Sequence, residues 1–146
     1  TRFGGHVNAE RAALLAVFHD VSEILTGDLP TPVKYYNPEI RTAYQTVETA
    51  AGKKLLSMLP KDMVPYYKTL LTEDSSQEQE LKELVKAADK ISALIKCVEE
   101  LRMGNREFVQ AEKTVRKSVE EMHLPEADCF LQEFLPSYSL TLDELE

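Results

Sequence analysis

No tryptophan occurs in these 146 residues, cysteines number two, glycines five, and the longest apolar run extends only from Ala12 to Phe18. Cys97 and Cys129 are too few for a disulfide framework and lack ligand-like spacing, so they read as reduced thiols, which points to the cytoplasm. The apolar run falls far short of the roughly 20 residues that cross a bilayer, so no membrane span is expected, and no signal-peptide pattern stands at the start. Basic charge is also in deficit: 17 Lys and Arg against 25 Asp and Glu leave a net charge of −8. That balance disfavours long nucleic acid and anionic membrane, which need a basic face. A small phosphorylated ligand stays open, because one metal ion reverses the local field of an acidic site. Strand-type alternation of useful length is missing too.

What is present is enough for one folded unit. With 43% hydrophobic and 29% charged residues the chain can fill a core and keep a solvated skin. Helical spacing dominates, and the punctuation falls where helices start and stop. Asn8 is placed to cap a first helix running to about Thr26, where Gly27 supplies the terminus. Its apolar residues between Ala12 and Leu25 point nearly all round the axis, which predicts a helix in the middle of the domain. Asp28-Leu29-Pro30-Thr31-Pro32 then forms a stiff extended loop. Asn37 caps a second long helix with Pro38 at its first position, ending near Leu59-Pro60. A short helix over 61–71 follows, and Ser75-Ser76-Gln77-Glu78 reads as the capping box of a long one. That helix is expected to bury Leu81, Leu84, Val85, Ala88, Ile91, Ile95 and Val98, and to stop at Gly104. Asn105 opens another helix to about His123, Pro125 a short one to Leu135, and residues 140–146 an amphipathic tail. The fold class is all-α, a single domain over 1–146.

The informative departure is the polar run Phe18-His19-Asp20-Val21-Ser22-Glu23 on an otherwise apolar helix. Burying an imidazole and two carboxylates costs several kcal/mol unless they are paired or bind a cation. On a continuous helix His19 and Glu23 share a face and Asp20 sits about 100° away, so the three can line one cleft. A neutral imidazole nitrogen and carboxylate oxygens suit Mn, Fe, Co, Ni or Zn. Asp89, among the small and apolar residues of the long helix, reads as an inward-facing further ligand. The plainer reading makes His19 a boundary histidine bonded to a carbonyl and Asp89 a surface carboxylate beside Lys86 or Lys90. The His-Asp dipeptide alone does not decide between them.

The wider pattern does. Residues 18–34, together with Phe3-Gly4-Gly5, Val7-Asn8-Ala9-Glu10-Arg11, Ala88-Asp89, Lys96-Cys97, Glu99-Glu100-Leu101, Pro136-Ser137 and Leu142-Asp143-Glu144, resemble the bacterial HD-domain 5′-deoxynucleotidases. These belong to the HD superfamily of metal-dependent phosphohydrolases. The resemblance implies an HD-type helical bundle, a homodimer, and hydrolysis of deoxyribonucleoside 5′-monophosphates to deoxyribonucleoside and phosphate with a divalent cation of the Co, Mn, Ni, Zn, Fe or Mg class. It assigns His19, Asp20 and Asp89 as metal ligands and Glu23 as the glutamate near the attacking water. Asp28, Leu29, Pro30 and Thr31 fall on the nucleotide-holding loop, and Asp20 also contacts substrate. The family's first metal histidine and its Arg-Trp pair fall upstream of Thr1, so N-terminal helices are expected to precede this chain, which would be inactive without them. His6, in a glycine turn, and His123, at a helix end, are not expected to substitute.

On this reading Asp20 and Glu23 are the catalytic carboxylates, Glu23 orienting a water or moving a proton, and Asp28 accepts a hydrogen bond from the sugar 3′-hydroxyl. The rigid Leu29-Pro30 segment is a candidate wall against a 2′-hydroxyl. Tyr35-Tyr36 and Tyr66-Tyr67 read as boundary or dimer packing, and Lys34 as an exposed lysine. Two other functions compete: an HD phosphohydrolase acting on another small nucleotide, and a non-catalytic helical module.

Overall fold

A computed structural model describes residues 6–30, 33, 36–72 and 78–144. Every regular element among them is helical, as the spacing predicts. In chain order these are α1 (Ala9–Phe18), α2 (Glu23–Thr26), α3 (Pro38–Ser57), α4 (Val64–Leu71), α5 (Gln79–Arg102), α6 (Val109–Glu120) and α7 (Pro125–Glu133). Short 3₁₀ turns occupy Arg106–Phe108, Leu135–Ser139 and Leu142–Glu144. The chain divides into two compact units. One is discontinuous, formed by residues up to Ala16 and from Glu80 on; the other is inserted into it, Val17–Gln79. No described helix is long and apolar enough to cross a membrane.

The caps follow the sequence. Asn8 Oδ1 accepts from the Arg11 N–H at 2.9 Å, and Asn37 Oδ1 from the Ile40 N–H at 2.7 Å, each satisfying an amide that the first helical turn leaves orphaned. Pro38 opens α3, where a missing N–H costs nothing. The capping box expected at Ser75-Ser76-Gln77 lies outside the described residues.

Within the discontinuous unit, α5 packs on α6 and α7 in two adjoining clusters. Ala87, Ile91, Val119 and Ala127 form one, and Leu94, Val98 and Leu135 the other, with Ile95, Phe130 and Leu131 touching both. Leu94 and Val119 are wholly buried. The buried residues of α5 are Val85, Ala87, Ile91, Leu94, Cys97 and Val98, so Val85, Ile91 and Val98 are covered as expected and Ile95 packs on both clusters, while Ala87, Leu94 and Cys97 extend the covered face beyond the stripe expected. Ala88 is exposed, and so is Asp89. Apolar residues make up half of this helix, and the partners, not the periodicity, decide which edge is covered. Lys90 reaches the other way and donates to the Ser118 carbonyl at 3.0 Å, while Lys86 lies 2.9 Å from Glu83 Oε1.

The end of α5 is held by a polar cluster. Lys96 and the Asn105 amide both donate to the Glu100 carboxylate, the latter at 2.8 Å, and the Lys96 ammonium sits 5.8 Å from the Phe108 ring centroid. Hydrogen bonds first from Lys96 and then from Asn105 hold the Glu100 carboxyl below its ordinary range. A depressed folded-state value contributes stability that is present above the ordinary carboxylate range and lost as pH falls through that range and below. Glu100→Gln is thus expected to flatten the fall in melting temperature between about pH 6 and pH 3, measured by thermal denaturation across that series. An equally steep fall in the variant contradicts it.

In the inserted unit α3 packs on α2 and on α4. The α3–α4 contact depends on Gly52, which is buried: a Cβ built there overlaps the Leu71 carbonyl oxygen at the end of α4. Phe18 meets Tyr67 edge to face, ring centroids 5.9 Å apart, which confirms packing for one tyrosine of that pair. Tyr66 and Tyr36 are 77% and 78% exposed.

Candidate functional site

The first helix does not run unbroken to Thr26. It stops at Phe18, residues 19–22 form turns, and α2 restarts at Glu23. Tighter bonds mark the break: Val21 N–H to Phe18 carbonyl at 3.2 Å, Glu23 N–H to Asp20 carbonyl at 2.9 Å, Ile24 N–H to Val21 carbonyl at 3.3 Å and Leu25 N–H to Ser22 carbonyl at 3.0 Å. The physical reason lies in the residues themselves. Asp and Ser side chains compete with helical hydrogen bonding, Val resists it by its β-branch, and a turn delivers the polar groups to water instead of burying them. The expectation that His19 and Glu23 share a helical face therefore fails, because no regular helix connects them. Nor is the surrounding helix a central one: Leu15 is the buried residue of α1, and Val17 and Ile24 are 76% and 73% exposed.

The break brings two of the nominated residues together. His19 Nε2 and Asp20 Oδ2 are 2.8 Å apart, with side chains 37% and 56% exposed. A pair this open to water stabilises a fold by at most about 1 kcal/mol, so stability does not account for it. Glu23 follows as the first residue of α2, half-buried, and its carbonyl accepts from the Gly27 N–H at 2.9 Å.

Gly27 then ends α2 with φ 70° and ψ 163°, a backbone setting that residues with a Cβ rarely adopt. The chain leaves in an extended segment, with Asp28 and Pro30 exposed and Leu29 half-buried. Two hydroxyls converge on the Gly27 carbonyl, Thr26 Oγ1 at 3.0 Å and Tyr44 Oη at 2.9 Å. Thr31, Lys34 and Tyr35 lie outside the described residues. Asp89 belongs to the discontinuous unit and is exposed on α5, so its inward-facing placement is not observed. His6 and His123 are both exposed, His123 as expected of a surface residue.

Whether these side chains fit a divalent cation turns on donor chemistry. Imidazole nitrogen beside carboxylate oxygen is a borderline-hard set suited to first-row divalent ions. Two such donors on one exposed turn can serve as two ligands. Among the described residues no three His, Cys, Asp or Glu gather into a metal-binding group.

One open cleft of about 490 Å³ lies along the start of α3, lined by Tyr36, Asn37, Pro38, Arg41, Thr42 and Gln45. None of the nominated residues lines it. The contact that sequence reasoning missed is Tyr44, whose hydroxyl reaches back 17 positions to the Gly27 carbonyl; an isolated tyrosine on a helix carries no local sign of such a bond.

Comparison with known proteins identifies the family. A family model for 5′-deoxynucleotidase YfbR-like proteins matches residues 1–138. The 5′-deoxynucleotidase of Vibrio vulnificus strain YJ016 is 51% identical over 144 residues, covering 99% of this chain and 74% of that relative. A 5′-deoxynucleotidase of Vibrio parahaemolyticus is also 51% identical over 99% of this chain and 74% of its own. For a 5′-deoxynucleotidase of Yersinia pestis strain Pestoides F the figures are 49%, 99% and 73%. A model match over nearly the whole chain, with relatives sharing half of its residues, means that this chain belongs to the YfbR-like 5′-deoxynucleotidase family.

Proposed function

We propose that this chain is a phosphoric monoester hydrolase that releases phosphate from deoxyribonucleoside 5′-monophosphates, with its chemistry centred on His19 and Asp20. The observation that carries the reading is family membership over residues 1–138, joined to an exposed imidazole–carboxylate pair that stability does not explain. The family match spans residues 1–138 and so takes in residues of both compact units, which supports treating residues 1–146 as one phosphohydrolase domain.

A divalent cation, held by His19, Asp20 and Asp89, belongs to the same proposal. When bound, such an ion polarises a phosphate oxygen and lowers the pKa of a coordinated water. The chain's own groups have separate tasks. Asp20 also orients the phosphate, and Glu23 orients the attacking water and takes its proton. Asp28 accepts from the sugar 3′-hydroxyl, Leu29 and Pro30 form the wall against a 2′-hydroxyl, and Thr31 belongs to the same nucleotide-holding loop. A homodimer in the cytoplasm completes the reading; the exposed Val17, Ile24 and Leu25 offer apolar surface for a second copy.

Phosphate release from a panel of deoxy- and ribonucleoside 5′- and 3′-monophosphates tests it, with the intact protein and each of several divalent ions. Deoxyribonucleoside 5′-monophosphates are expected to show kcat/KM at least about tenfold above their ribo counterparts. Release without that preference points to a phosphohydrolase of another small nucleotide. No release with any ion points to a non-catalytic helical module.

A further inference from the structure

Asp28 and the residues after it must hold one setting if they are to discriminate a sugar, yet they sit where regular structure has ended. Among the described residues, the nearest backbone bonds on either side are Gly27 N–H to Glu23 carbonyl at 2.9 Å and Val33 N–H to Pro30 carbonyl at 2.8 Å. Between them the orientation of the Gly27–Asp28 peptide plane fixes where Asp28 departs. A peptide plane is rigid, so holding its carbonyl oxygen holds its N–H and the start of the next residue.

That oxygen accepts two hydroxyls, and they are not equivalent. Thr26 is the adjoining residue, so it travels with the segment it bonds. Tyr44 comes from the second turn of a 20-residue helix, half-buried, on an element capped by Asn37 and seated against α4 at Gly52. A group carried by a fixed helix restrains the loop relative to the rest of its unit, which a neighbouring side chain cannot do.

We propose that Tyr44 is a positioning residue for substrate discrimination, its hydroxyl setting the Gly27–Asp28 peptide and thereby the Asp28-Leu29-Pro30 wall against the sugar. The inference rests on the proposed role of that loop in holding the deoxyribose. It makes sugar selectivity depend on a residue that does not itself touch substrate.

Tyr44→Phe keeps the ring and removes the hydroxyl, so packing and folding are retained. In the intact protein, kcat and KM are measured for a deoxyribonucleoside 5′-monophosphate and its ribo counterpart, alongside the melting temperature. The expected result is a rise in KM for the deoxy substrate of about fivefold, the worth of one hydrogen bond. The deoxy-to-ribo ratio of kcat/KM falls by a similar factor, and kcat stays within about twofold. A purely structural role would lower the melting temperature without moving the KM–kcat split or the ratio, and that outcome overturns the proposal, as does an unchanged variant. Asp28→Asn, measured in parallel, separates this inference from the reading beneath it. If Asp28→Asn raises KM while Tyr44→Phe matches the wild type, the loop reading stands and the role of Tyr44 is wrong. If neither variant changes KM or selectivity, the loop is not the sugar site, and both fall together.

Discussion

Replacing Asp20 by alanine is expected to lower phosphate release from a deoxyribonucleoside 5′-monophosphate by about 10³-fold, or ~4 kcal/mol of transition-state stabilisation. The melting temperature should barely change, and the separation of the two effects is what makes the variant informative. The structural bond at this position comes from the backbone, with the Asp20 carbonyl accepting from the Glu23 N–H at 2.9 Å. The carboxylate points into solvent beside His19 and is 56% exposed, so deleting it opens no cavity and orphans no buried donor. Asp20→Asn sharpens the test, because it keeps an acceptor oxygen and the side-chain shape while removing the charge. Loss in both variants assigns the function to charge, as expected for a group that binds a cation and orients a phosphate. Equilibrium binding of Mn²⁺ or Co²⁺ is expected to weaken by at least about tenfold in either variant. Unchanged turnover with Asp20→Ala sinks the assignment of this pair as the catalytic centre.

Gly52→Ala carries the largest effect expected on stability. Two terms oppose one another. Alanine in a helix interior is favoured over glycine by about 1 kcal/mol, and by that measure alone the substitution stabilises α3. Against it stands the Leu71 carbonyl oxygen, which a new Cβ overlaps. An overlapping side-chain tip can rotate away; a backbone carbonyl at a helix end moves only if the helix moves. Overpacking of this kind costs about 1–3 kcal/mol and sometimes more, and contact with backbone belongs at the upper end. The net effect is a loss of about 2 kcal/mol, a fall in melting temperature of roughly 8 °C for a chain of this size. A variant that melts at or above the wild-type temperature shows that α4 slides off without loss, and that the close approach at Gly52 does not hold these helices together.

The parts legible in the sequence were those fixed by chemistry over three or four residues. Asn8 and Asn37 announce their helices because a short polar side chain ahead of an apolar repeat has one good use there, and both make the expected bond. The helical class follows from apolar spacing that never alternates. The break after Phe18 was not legible, since apolar residues at 17, 18, 21, 24 and 25 continue the helical spacing across it, and the competition between turn and helix is decided by polar solvation. Of the face of α5, Val85, Ile91 and Val98 were legible and one edge was not: with Leu84, Val85, Ala87 and Ala88 all apolar, the covered edge depends on Val119, Ala127 and Leu135, which are distant in sequence. Of the site, His19 and Asp20 were readable as a pair, and the structure joins them. The buried seat of Gly52 and the reach of Tyr44 depend on partners 19 and 17 positions away, and neither residue type signals them.

The insertion of residues 17–79 into a unit begun by residues up to Ala16 also sets a timetable for synthesis. The ribosome delivers α1 as far as Ala16 early, yet the unit it belongs to is completed only by chain from Glu80 on. At about 5–20 residues per second, roughly 3–13 s pass before the first residue of that later chain is made. The inserted unit is contiguous and emerges whole within that interval. Meanwhile Leu14 and Leu15 are displayed on nascent chain with their own unit unfinished, long enough for a ribosome-associated chaperone to bind.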